Sequence, residues 1–132
     1  MKNDMQEKMV QLQIMETNLK ALQERSDILT ERIAELESTR NSIEELKSIK
    51  PSSALIPIGS GNFVPGRIDN TEDVIVGIGG GVAIKKKRED ALVILDNTMK
   101  EFNKNLDEMR NHMTGIALGM ERLQGELEKL QK

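Results

Sequence analysis

The chain has 132 residues and no cysteine. That is about the length of one domain, and it excludes disulfides, thiol chemistry and Cys-based zinc sites. The net charge is −3, from 19 basic and 22 acidic residues whose signs are interspersed, and Phe63 and Phe102 are the only aromatics, so neither a basic patch nor a stacking platform for nucleic acid is present. Apolar runs such as Ala91 to Leu95 fall far short of the roughly 18 residues of a membrane span. Met1 is followed by Lys2, Asn3 and Asp4 rather than by the apolar stretch of a signal peptide. A soluble, cytoplasmic protein is expected, with no nucleic-acid or membrane partner.

Residues 1–50 contain neither glycine nor proline and are rich in Glu, Lys, Gln and Leu, which predicts one long helix. Its heptad a and d positions are Met5, Lys8, Leu12, Met15, Leu19, Leu22, Ser26, Leu29, Ile33, Leu36, Arg40 and Ile43. Nine of these twelve are apolar; Lys8, Ser26 and Arg40 interrupt the stripe as polar residues that set register do. Pro51 is expected to stop the helix, with Lys47 and Lys50 near its negative end.

Residues 51–86 hold all three prolines and seven of the ten glycines. Four short strands are expected: 54–58, 62–68, 73–78 and 82–86. "GSG" (59–61) and "GGG" (79–81) read as three-residue hairpin loops, joined by the polar link 69–72. Pro57 and Pro65 cannot donate to a ladder and suggest edges or bulges. Two such hairpins bury too little to stand alone and leave edges open. This segment is therefore expected to be an oligomerisation body, built on Leu55, Ile56, Ile58, Phe63, Val64, Ile68, Val74, Ile75, Val76, Ile78, Val82 and Ile84. The glycine cluster in "DVIVGIGGGVAIKKK" (73–87) invites a phosphate-binding reading. It fails: a dinucleotide fingerprint would need a third glycine where Val82 stands, and no Gly-Lys-Ser/Thr follows. Lys85 to Lys87 read as a solvated strand end, placed to complement Glu89 and Asp90.

Helix-forming composition returns over residues 87–132. The a and d positions are Leu92, Leu95, Met99, Phe102, Leu106, Met109, Met113, Ile116, Met120, Leu123, Leu127 and Leu130, all apolar. A strict repeat of this length is a coiled-coil seam. The expected fold is mainly α with a small β region. Two long helices fold back as an antiparallel coiled-coil hairpin, joined by two β-hairpins that assemble into an oligomeric β-barrel body. His112 stands alone without a metal-ligating companion, and the carboxylates lie on outward helix faces without a desolvated site. No catalytic, metal or cofactor-binding residue is assigned, and the chain does not read as an enzyme. Where the first helix begins and the second ends, Met1, Met5, Met9, Val10, Met120, Leu123, Leu127 and Leu130 come together as apolar groups open to a partner at the tip. Gly115, Gly119 and Gly125 loosen that region, each costing an exposed helix about 1 kcal/mol relative to Ala.

The stretches "LIPIGSGNFVPGRI" and "VIVGIGGGVAIKKKREDAL", set between two heptad helices, resemble the prefoldin family, and the two-hairpin middle resembles its α class. The resemblance implies a hexamer of two α and four β subunits whose hairpins form β-barrels. It implies further that coiled-coil tips hold unfolded client proteins without ATP and deliver them to a group II chaperonin. A coiled-coil scaffold or filament-forming subunit without client binding is the alternative reading of the same residues.

Overall fold

The computed structural model describes residues 2–131. In chain order these form helix α1 (Lys2–Glu45), a single 3-10 turn (Leu46–Ser48), strands β1 (Ser52–Gly59), β2 (Asn62–Ile68), β3 (Asp73–Gly79) and β4 (Val82–Lys87), and helix α2 (Arg88–Gln131). The helix–two hairpins–helix order is the one the composition shifts predict. Two compact units share these elements: one combines Met1–Ala34 with Glu101–Lys132, the other is Glu35–Lys100.

In the first unit the two helices run antiparallel, as shown by Lys8 reaching Glu126 across the seam. Every expected seam position of α1 here, from Met5 through Ile33, is half-buried or buried, and the residues between them are exposed. The α2 seam positions Phe102 to Leu127 are likewise half-buried or buried, and Gly119, Gly125 and Glu126 beside them are half-buried too. Leu130 departs from the pattern: it is exposed, one residue before α2 ends at Gln131. Half-burial is what a two-helix seam allows, because each side chain has a partner on one side only. Leu106 (5% exposed) and Ser26 (6%) are the deepest groups. A small side chain at Ser26 lets the helices close at that level.

In the second unit Leu36, Ile43, Leu95 and Met99 continue as half-buried seam groups, and Ala91 and Leu92 are buried. The α1 helix ends at Glu45, five residues before the expected boundary, and tightens into the 3-10 turn, which Ile49 N–H closes onto the Leu46 carbonyl at 3.3 Å. Pro51 accounts for the extended backbone ahead of it, since its ring disfavours helical geometry at the preceding residue.

Both hairpins are antiparallel two-stranded sheets, each with a register shift next to the turn, at Pro57/Gly59 and Gly77/Gly79. The loops are two residues long rather than three, because Gly59 pairs with Asn62 and Gly79 with Val82. Ser60 and Gly61, like Gly80 and Gly81, all have positive φ. Positive φ at both central residues is the requirement of a type I′ turn, whose twist suits a hairpin. The extra residue is taken up as a bulge at Ile58 and Ile78.

Candidate functional site

The hairpins expose what a folded chain ordinarily hides. Strand alternation places Leu55, Pro57, Phe63 and Pro65 on one face of β1–β2 and Ile56 and Val64 on the other. Leu55 (67% exposed), Ile58, Phe63, Ile56 and Val64 are all exposed, and Ile68 is half-buried. Gly66 leaves room for Ile56 to lie across β2, since a Cβ there would stand 2.5 Å from Ile56 Cδ1. In β3–β4, Ile75 (70% exposed), Ile78 and Val82 are exposed. Val74, Val76 and Ile84 share the opposite face and are half-buried. A groove of about 440 Å³ runs beside this face, lined by Val74, Val76, Thr39, Ile43, Ala91 and Leu95 among others. The sequence identified the apolar residues of the hairpins but not this division: one face of β3–β4 leans on the helices, while both faces of β1–β2 stand free.

The apolar groups expected where α1 begins and α2 ends divide in the same way. Met5, Met120, Leu123 and Leu127 are half-buried in the seam, whereas Met9 (57%), Val10 (54%) and Leu130 (37%) are exposed. Met1 lies outside the described residues. Val10 borders a shallow depression with Asn3, Gln6, Glu7 and Gln11. Three exposed apolar residues of this unit were missed, Ile14, Ile28 and Leu118. All three sit off the a and d positions, so a search confined to the heptad passes over them; an apolar residue on the outward face was the available signal.

The polar interruptions of the seam each find a partner or a purpose. Lys8 Nζ bonds Glu126 Oε2 at 2.8 Å, and its ammonium holds the Glu126 carboxyl below the usual carboxylate range. Arg40 Nε donates to Asp96 of the facing helix, a bond that pushes the guanidinium pKa up. Lys47 bridges Glu44 at 2.6 Å and lies 3.7 Å from Glu89.

Between the hairpins, Asn70 Oδ1 accepts from the backbone N–H groups of Glu72 and Asp73, at 2.8 and 3.3 Å, and its amide donates to Asp73 Oδ2 at 2.9 Å. Arg88 ties the same link to the start of α2: its N–H donates to the Glu72 carbonyl and its Nη1 to the Thr71 carbonyl, both at 2.7 Å. The expected pairing of Lys85 to Lys87 with Glu89 and Asp90 is not what forms. Lys85 and Lys87 face Asp73 across the ladder, at 3.7 and 3.2 Å, and Arg88 and Lys47 take Glu89 instead. Strand pairing sets this, because Asp73 is the cross-strand partner of Lys87. The Asn70 amide first, and then Lys87, keep the Asp73 carboxyl below its ordinary range.

His112 is exposed and lines a groove with Leu29, Phe102, Asn105, Glu108 and Met109. Among the described residues no group of three or more His, Cys, Asp or Glu could hold a metal ion, and no helix is long and apolar enough to cross a membrane. The chemistry on offer is apolar adhesion and strand pairing.

Comparison with known proteins follows the same lines. A family model described as "Prefoldin subunit" matches residues 15–132. A prefoldin subunit alpha from Methanobrevibacter smithii is 30% identical over 96 residues, covering 73% of this chain and 66% of the relative. One from Methanosarcina acetivorans is 27% identical over 123 residues, covering 90% and 87%. Among solved structures, filamentous PFD from Methanocaldococcus jannaschii, seen by cryo-EM, superposes with a TM-score of 0.77 at 19% identity, covering 86% of this chain and 95% of that one.

Proposed function

The chain belongs to the prefoldin family of non-catalytic chaperones, as an α subunit of the archaeal type, and on that premise we propose that it serves in the cytoplasm as an ATP-independent holdase subunit. Its hairpins join those of β-class prefoldin subunits in a hexamer of two α and four β chains. Apolar groups at the start of α1 and the end of α2 take up apolar segments of unfolded client proteins, and the assembly passes these to a group II chaperonin.

The observation that supports this reading most directly is the inverted burial of the hairpins. Leu55, Ile56, Phe63 and Ile75 are more than half exposed on sheets of two strands each. Exposed apolar faces next to unpaired edges call for other strands to cover them. In the other unit Met9 and Val10 are exposed at 57% and 54%, and methionine suits a surface that must accept many apolar shapes. Burying one such side chain stabilises a complex by only about 1.5–3 kcal/mol. Several linked tips gripping one client reach useful affinity together, and each can still let go.

The test mixes this chain with a β-class subunit, measures particle mass, and follows aggregation of a chemically unfolded client. A discrete hetero-oligomer that suppresses aggregation without ATP is the expected result. A particle that forms but leaves aggregation untouched overturns the holdase role.

A second reading has one observation in its favour: the solved assembly with a similar fold is filamentous. Unpaired hairpin edges could equally propagate a homomeric fibre. That reading expects a broad length distribution from this chain alone and no client protection.

A further inference from the structure

Strand β4 carries more positive charge than its own chain neutralises. Lys85, Lys86 and Lys87 are consecutive on a strand that pairs only with β3, so its outer edge is open. By strand alternation Lys85 and Lys87 share one face and Lys86 lies on the other. Lys85 and Lys87 stand 3.7 and 3.2 Å from one and the same carboxylate, Asp73, which already accepts from the Asn70 amide at 2.9 Å. No ion pair among the described residues includes Lys86. Two ammonium groups therefore share one carboxylate, and the third has no ion-pair partner among the described residues. The other hairpin is chemically different, with no charged residue from Ser52 to Gly66.

Lysines on an edge strand obstruct pairing with another strand of the same kind. Like charges directly opposite one another destabilise a ladder, and opposite charges stabilise it. A two-fold pairing of β4 with β4 about Lys85 or Lys86 sets lysine against lysine. We infer that the β4 edge selects its partner: it takes a strand of a different chain carrying two carboxylates two positions apart, facing Lys85 and Lys87, and rejects a second copy of itself. The β1–β2 hairpin, whose one charged residue, Arg67, is paired with Asp69, has no such filter. This inference rests on the hairpins being the assembly surface.

The probe is a charge-inverted copy of the full chain, with Asp73→Lys, Lys85→Glu, Lys86→Glu and Lys87→Glu, which keeps the cross-strand pair with its sign reversed. Isotope-labelled wild-type chain and this variant are mixed at low salt and weighed by native mass spectrometry. Complexes containing both chains should exceed the statistical proportion by about tenfold, the sum of several cross-strand pairs. The excess should vanish at about 1 M salt, where screening is strong. Substituting the three lysines by glutamine should raise self-association of the chain. A statistical mixture, or no mixed complex at all, overturns the inference. If circular dichroism shows that the fourfold variant loses helix, Lys85→Glu alone, which inverts a charge on the proposed face and leaves the closer Lys87–Asp73 pair in place, carries the same comparison. Leu55→Ser with Phe63→Ser separates the two levels. Unchanged mass in that variant refutes the hairpins as assembly surface, whereas reduced mass beside statistical mixing refutes only the charge rule.

Discussion

Ser60 is the only non-glycine residue with positive φ among the described residues, at 52°. A left-handed backbone costs an L-residue roughly 1–2 kcal/mol, while glycine surrenders about 0.5–1 kcal/mol of chain entropy on folding. Ser60→Gly should therefore stabilise the chain by about 0.5–1 kcal/mol in denaturant titration. In the equivalent turn Gly80→Ala, at φ 61°, should lose a similar amount. The bridge between Lys8 and Glu126 gives a pH dependence whose sign is fixed. Lys8 lowers the Glu126 carboxyl below its ordinary value of 4.5. Its contribution is complete above that value and disappears as pH falls through the lowered one. Thermal melts taken from neutral to acid pH should show a destabilisation on the acid side that Glu126→Gln makes shallower. An unchanged acid slope in that variant would show that the bridge adds nothing.

Along the helices, stability concentrates where the seam is deepest. Leu106 is 5% exposed, and Leu106→Ala should cost about 2–5 kcal/mol in equilibrium unfolding. Gly115 is the opposite case: a Cβ there meets nothing within 4 Å, so Gly115→Ala should raise stability by about 1 kcal/mol through helix propensity alone. Hydrogen exchange of α2 amides around residue 115 should slow in that variant. If they are already as protected as those near Leu106, the glycines do not loosen the helix. The heptad made the seam legible residue by residue, because a period of 3.5 can bury only one stripe. Lys8 and Arg40 were legible as interruptions, but Glu126 and Asp96 were not, since pairing a seam cation with one of many outward carboxylates requires the axial register of both helices. The hairpins were legible from glycine placement and β-branched runs. Their loops were read one residue too long because a bulge at Ile58 or Ile78 leaves no mark distinct from ordinary alternation. Asp73 as the partner of Lys85 and Lys87 likewise needed the ladder register.

For the whole molecule the proposed division of labour makes assembly and client holding separable. Met5, Leu123 and Leu127 are half-buried in the seam, so replacing them would loosen the coil and confuse the two. Removing residues 1–10 and 121–132 suffers less from this, because the hairpins lie wholly in the other unit; the truncated chain should assemble and fail to protect a client. Met9→Ser with Val10→Ser is the sharper experiment. Both side chains are more than half exposed, so helix content and particle mass should not change. Each apolar group contributes about 1.5–3 kcal/mol when a client covers it. A hexamer of the proposed composition keeps its β-subunit tips, and linked weak sites compensate partly for those lost. Client affinity should therefore fall by roughly tenfold rather than vanish, read as a higher chaperone concentration for half-suppression of aggregation. Full protection by an intact particle bearing both substitutions would move the client site off the outward face of α1 and onto the seam groups Met120, Leu123 and Leu127.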